Sequence, residues 1–368
     1  MGSTMKRKAL LSAPLVVVVL GLVLVPVVAV TDSSPERYLK ERLGLVDEGC
    51  QPRTVESPGW RAEESLPEAR DELRAVTIGG DAYIAGGTVK LLDYGERSKV
   101  PGVGERVEAQ SIANLTRFDP ERGTYEELRR MPRALNHIGM VAYRGAIYVV
   151  GGHGNVLGGA DARRSFFRYS PQTRRWSRMP PMPTARGAVA VGVVGDHLYV
   201  AGGMLRGEPL RTLEAFDFRG GRWERLPDMP TGREHVAGAA AGGRFYVIGG
   251  RNEETDALSE VTRYDPRRRR WESVVDLPIR SGGLEALAIG DRVLAMGGGN
   301  DRGGTVTGAL QLFDTGNGRW SPLPEMRTRR HGFGAALIGE RVYTFGGSAC
   351  ALFAKTDIVE SFDARRAQ

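Results

Sequence analysis

The 368-residue sequence predicts an all-β ring, in which six copies of one small antiparallel sheet stand around a common axis. Three observations predict it. First, a Gly-Gly doublet led by an apolar run recurs at Gly86-Gly87, Gly151-Gly152, Gly202-Gly203, Gly249-Gly250, Gly297-Gly298 and Gly346-Gly347. The steps are 65, 51, 47, 48 and 49 residues, and a fixed period near 50 marks an array of repeated supersecondary units. Second, the rest of the unit keeps register with the doublet. Third, an element missing after the last unit stands at the start of the chain.

Each unit reads as strand, turn, strand, loop, strand, turn, strand. The run from Ala188 to Val194 is short, small and β-branched, which suits a crowded inner strand. Gly195-Asp196 turns the chain into the run from His197 to Ala201, a hairpin signature. The double glycine then allows close backbone approach where a side chain would collide. An aromatic seven residues before a second aromatic marks the outer pair: Phe118/Tyr125, Tyr169/Trp176, Phe216/Trp223, Tyr264/Trp271 and Phe313/Trp320. Proline follows seven further on at Pro132, Pro183, Pro230 and Pro278, with Arg327 in the fifth place.

The sixth unit reaches Phe362-Asp363, and its outer tryptophan is due just past Gln368. Trp60, Pro67 and Gly86 reproduce the same spacing at the other end. The N-terminal segment is therefore expected to supply the outer strand of the last unit and close the ring. A unit that cannot bury both faces alone depends on its neighbours, and closure leaves no open edge.

These doublets, the tyrosines just before them (Tyr83, Tyr148, Tyr199, Tyr246, Tyr343) and the tryptophans Trp60, Trp176, Trp223, Trp271 and Trp320 resemble the kelch repeat over about residues 57–368. Leu294 in the tyrosine place and Tyr125 in a tryptophan place are mild departures. The resemblance implies a β-propeller of four-stranded blades, here six. It implies little chemistry, because the same fold serves protein binders, sugar-active enzymes and copper oxidases.

One propeller accounts for most of the length, with 1–30 a signal peptide or membrane anchor, 31–56 a spacer and 57–368 the propeller. Lys6, Arg7 and Lys8 precede an apolar run from Ala9 to Val30, which directs export and is long enough to stay as an anchor. The propeller is expected outside the cytoplasm, periplasmic or extracellular or held at the outer face of the membrane. The net charge of +7 includes those three residues, and only six of the 51 basic residues are lysine. An arginine bias spread over the chain argues against a nucleic-acid surface, and the run Arg267 to Arg270 falls in an outer turn.

Cys50 lies ten residues before Trp60, and Cys350 three residues after Gly347. Each end of the ring closure thus carries one cysteine. A Cys50–Cys350 disulfide clasping the ring is expected in an exported chain, with two unpaired thiols the alternative.

The loops after each double glycine and the entries to each blade share one rim. The longest, from Thr88 to about Ser111, carries Lys90, Asp93, Tyr94, Arg97 and Lys99. Sixteen residues before each doublet stand Arg70, Leu135, Arg186, Arg233, Ser281 and Arg330. Four arginines in six slots either form a collar that captures an anionic ligand or bond to carbonyls and carboxylates between blades; the guanidinium fork suits both. His137, His153, His235 and His331 fall on this rim and His197 on the opposite one. His331 is offset by one residue from His137 and His235, which argues against a symmetric three-histidine metal site. No metal and no cofactor are expected.

Enzyme motifs such as HExxH, GxSxG and the P-loop are absent from the sequence. The copper oxidases of this resemblance need a cysteine-linked tyrosine, and both cysteines here are expected to serve the closure instead. The resemblance also reaches mutarotases that use rim Arg and Glu on acidic sugars; Arg233, Glu234 and His235 would serve, with Glu234 or His235 carrying the proton. The reading expected first is noncovalent binding of a protein or anionic glycan by a monomeric propeller, through Arg70, His137, Arg186, Arg233, His235, Arg330 and the 88–111 loop. An enzyme acting on an acidic sugar and a structural module of an envelope complex are the alternatives.

Overall fold

The computed structural model describes residues 52–90, 109–154, 161–300, 305–350 and 354–367. The targeting segment, Cys50 and the body of the 88–111 loop lie outside the described residues. Among those described, no helix is long and apolar enough to cross a membrane.

Six four-stranded antiparallel sheets form the blades. Blade three shows the pattern: Ala190–Val194 inside, then His197–Ala201, Leu213–Asp217 and, outermost, Arg222–Leu226. Blade six is assembled from both chain regions, with Gly334–Ile338, Arg341–Phe345 and Val359–Asp363 completed by Trp60–Ala62. Trp60 stands opposite Phe362 in that ladder. The expected closure by an N-terminal strand is therefore how the ring is built. Its contacts begin before residue 57, because Val55 N donates to Arg327 O at 2.9 Å and Thr54 Oγ1 lies 3.0 Å from Thr328 Oγ1.

Two repeated features lock each blade to the next. The outer aromatic reaches back: the indoles of Trp176, Trp223, Trp271, Trp320 and Trp60 donate to the carbonyls of Arg129, Pro180, Pro227, Val275 and Pro324. Tyr125 keeps the bond with a hydroxyl, donating to Glu64 O at 2.6 Å. The second glycine of each doublet reaches forward, as when Gly203 N donates to Arg233 O of the following blade at 2.9 Å. The first glycine has no room for a side chain: a Cβ on Gly202 would stand 2.5 Å from that same carbonyl, with φ at +63°. Only glycine meets both conditions at low cost.

Apolar burial follows the same plan, with each of six core clusters lying between neighbouring blades. Between blades two and three, Val141, Tyr148, Phe166 and Met182 pack with Val189, Leu198 and Phe216. The run Arg267 to Arg270 is the expected outer turn, with Asp265 Oδ1 accepting from the amides of Arg267 and Arg268. The inner strands surround an axial cavity of about 300 Å³ whose charged lining residues are Arg74 and Glu285.

Candidate functional site

The residue fourteen places before each doublet enters the axis in a left-handed backbone conformation. These residues are Glu72 (φ +51°), His137 (+51°), Ala188 (+55°), His235 (+47°), Gly283 (+67°) and Gly332 (+60°). A belt of backbone hydrogen bonds runs through them around the channel mouth. Glu72 N donates to Gly332 O, His137 N to Glu72 O, Ala188 N to His137 O, Gly283 N to His235 O and Gly332 N to Gly283 O, at 2.6–3.1 Å. The belt explains the shared conformation, since each amide must turn toward the previous blade's carbonyl. Two copies use glycine, as the conformation favours. Glu72, His137 and His235 keep large side chains there despite a cost of about 1–2 kcal/mol each. Such strain is held where a side chain is needed in one place.

The three side chains converge. His137 Nε2 is 2.8 Å from His235 Nε2 and 3.2 Å from Glu72 Oε2. Their rings meet edge to face, with centroids 4.7 Å apart. The other ring nitrogens are occupied. His235 Nδ1 bonds the Glu234 carboxylate, and His137 Nδ1 bonds Asn136 Oδ1. Asn136 is oriented in turn by donating Nδ2 to Ser111 Oγ at 2.7 Å. Glu234 lies against the next strand entry through paired backbone bonds with Arg251. Arg251 lays its side chain over Gly282 and Gly283, where no Cβ is in the way.

Burial and neighbouring charge oppose each other here. Burial pushes His137 well below its ordinary value, and His153 to about 4. For Glu72, burial acts to raise the carboxyl, but His137, His235, His331 and Arg74 outweigh it and hold it well below the usual range. Glu234 follows the same pattern, lowered by His235 and Arg251 against its burial. The mouth is thus a largely desolvated cluster of two carboxylates and three imidazoles, with Arg251 and Arg74 at its margins.

The arginines sixteen residues before the doublets do not form a solvent-facing collar. Arg70 is 2% exposed, and Arg186, Arg233 and Arg330 are fully buried. Their guanidiniums turn into their own blades. Arg330 donates to Gly346 O, Ile358 O, Thr344 Oγ1 and Glu360 Oε2 at 2.6–2.9 Å. Arg233 donates to Gly249 O, Glu260 O and Thr262 Oγ1. Arg186 reaches Val200 O and Glu214, and Arg70 reaches Thr116 Oγ1. Ser281 makes the same link in blade five by donating to Gly297 O. Of the two readings of this slot, bonding within the ring matches the geometry. A buried fork spans the second and third strands, where carbonyls need donors.

The sequence reading placed His137 and His235 on one rim but not in contact with one another. Glu72 escaped it, although it occupies the same slot as both. Comparing that slot across all six units, rather than following histidine alone, would have found it. His331 points elsewhere, as its offset requires: its Nε2 bonds Cys350 O at 2.9 Å. His153 lies edge-on to His137, its centroid 5.4 Å away, and neither of its ring nitrogens has a hydrogen-bond partner among the described residues.

The architecture defines a closed six-bladed propeller with an ionisable cluster at one mouth. A family model described as the KLHDC2/KLHL20/DRC7 Kelch-repeats domain matches residues 137–347, more than half the chain. The chain belongs to the kelch-repeat family. Kelch-like protein 36 of Bos taurus is 26% identical over 213 residues, covering 48% of this chain and 34% of that protein. Kelch-like protein 34 of Homo sapiens is 31% identical over 165 residues, covering 43% and 22%. Kelch-like ECH-associated protein 1A of Danio rerio is 31% identical over 93 residues, covering 25% and 16%. The chain therefore spans about a third or less of the length of these relatives.

Proposed function

We propose that this chain is an exported propeller that binds a protein or an anionic glycan at the channel mouth. The supporting observation is the belt of left-handed residues. It holds Glu72, His137 and His235 at one end of the axis, within the ring of loops that follow the double glycines. A rigid ring that presents variable loops and strained ionisable side chains at one end is suited to recognition. Membership of a family typical of protein-binding modules favours a protein partner. The basic, apolar N-terminal segment supports export, and with it a Cys50–Cys350 clasp. Arg251 and Arg74, rather than the four arginines turned into their own blades, are the cations described beside the mouth cluster.

A second reading rests on the Glu234–His235 contact. A carboxylate that orients a buried imidazole is suited to proton transfer on an acidic sugar. One screen separates the two. The full chain is melted with sialic acid, uronates and acidic peptides, with Arg251→Ala and Glu234→Gln in parallel. A ligand at 100 times its dissociation constant adds roughly 2.7 kcal/mol, and that gain should vanish in Arg251→Ala. Turnover of a sugar that Glu234→Gln abolishes would favour the enzyme. A partner or ligand retained equally by wild type and both variants would sink the mouth as the binding site.

A further inference from the structure

We propose that Glu72, His137 and His235 bind one divalent transition-metal ion of the Zn²⁺ or Fe²⁺ class at the channel mouth. The inference goes beyond the ligand reading and does not depend on it. One ligand atom from each residue lies within 4.8 Å of the others. The decisive feature is the direction of the lone pairs. Because His235 Nδ1 is bonded to the Glu234 carboxylate and His137 Nδ1 to the Asn136 carbonyl oxygen, each Nδ1 carries the hydrogen. Each Nε2 is then an acceptor, and the two face each other at 2.8 Å beside a carboxylate oxygen. Three acceptors pointed at one spot repel unless a cation lies among them. The carboxylate–histidine arrangement at His235 is the outer-shell pattern that fixes the tautomer of a metal-bound imidazole.

The placement is also rigid. All three residues spring from the hydrogen-bonded belt, where two sibling positions are glycine, so their strained backbones aim the side chains at the axis. Two imidazole nitrogens and one carboxylate oxygen suit Zn²⁺ or Fe²⁺ rather than the all-oxygen shells of Ca²⁺ or Mg²⁺. Side-chain exposures of 11–13% leave the cluster reachable from the mouth, so a remaining coordination position is open to water or to a ligand donor. His331 stays outside the set, since its Nε2 is taken by Cys350 O and its Nδ1 is 3.8 Å from Glu72.

The test titrates the full chain, stripped with EDTA, with Zn²⁺ by calorimetry and with Co²⁺ by visible absorption. Wild type should bind one equivalent, and the cobalt form should show ligand-field bands. Glu234→Gln, whose carboxyl bonds the far nitrogen of His235 rather than a ligand atom, should weaken binding about 10–100-fold. Glu72→Gln and His235→Asn should lose more than that. His197→Asn, at the opposite end of the ring, should bind as wild type does. Absence of stoichiometric binding, or equal binding by Glu72→Gln and His235→Asn, would overturn the proposal. Should the variants fail to fold, X-ray absorption of the wild-type zinc form decides, because fewer than two imidazoles in the shell also overturns it. A proton shared between His137 and His235 in nitrogen NMR that Zn²⁺ leaves unchanged would do the same.

Discussion

The Trp60 indole donates to the carbonyl of Pro324 at 3.0 Å, across a separation of 264 residues. The same side chain stacks at a tilt on Phe362, with centroids 5.3 Å apart. One residue therefore ties the N-terminal strand both to its own blade and to the blade before it. Trp60→Ala removes a buried aromatic and should cost about 3–5 kcal/mol. It should also expose the edge of Val359–Asp363, so the variant should aggregate at concentrations where wild type stays dispersed. Urea unfolding with light scattering would check both. A variant that unfolds like wild type would show that the closing strand contributes little to the ring.

Arg330 and Glu360 form a fully buried pair at 2.9 Å. Arg330→Met leaves the carboxylate buried without its cation and should destabilise the protein by about 3–5 kcal/mol. Arg330→Lys should not rescue it, because one ammonium cannot span the four acceptors that the planar fork reaches. Arg251→Met should change stability much less. If Arg330→Met instead folds normally and only ligand binding suffers, the slot serves recognition after all.

The fold was legible because it repeats. Gly202 recurs in every unit since a Cβ there meets the next blade's carbonyl, and Trp223 recurs since its indole has a carbonyl to reach in every unit. Arg233 and Arg330 are periodic for the same kind of reason, since each buried fork bonds the carbonyls of its own blade. The proposed site instead lies in the departures from periodicity. Glu72, His137 and His235 occupy a slot that needs only a left-handed backbone, and which Gly283 and Gly332 fill without a side chain. The convergence of their ligand atoms depends on which blades face across the axis, and no single repeat carries that information.

Glu285 lies in the axial channel beside Arg74. Burial raises its carboxyl to about 7, with Arg74 opposing that shift and Glu72 adding to it. Arg74 Nε is 3.0 Å from Glu285 Oε1, yet that oxygen accepts no aligned hydrogen bond, which is consistent with burial prevailing. A carboxyl whose folded value is raised holds its proton more tightly in the native state. Its contribution to stability is full below the unfolded value and is lost as pH rises through about 7. The loss amounts to about 3 kcal/mol at most. Glu285→Gln should therefore lack the decline that wild type shows between about pH 4.5 and 7. Parallel stability profiles for the two proteins would refute this assignment.

Cys350 is 9% exposed, and its carbonyl is held by His331 at the edge of blade six. Cys50 lies outside the described residues, ten positions ahead of the closing tryptophan. A bond between the two would clasp the blade that joins the chain's ends. It would close a loop of about 300 residues, for which chain entropy allows on the order of 5 kcal/mol as an upper figure. Reduction should then lower the melting temperature, and Cys50→Ser should lower it by the same amount with no further effect of reductant. Because such a clasp and Trp60 would secure the same junction, Trp60→Ala should then cost more in reduced than in oxidised protein. Peptide mapping without reductant is the direct check. Two free thiols there, with a melt indifferent to reductant, would leave Trp60 and its strand to hold the junction unaided.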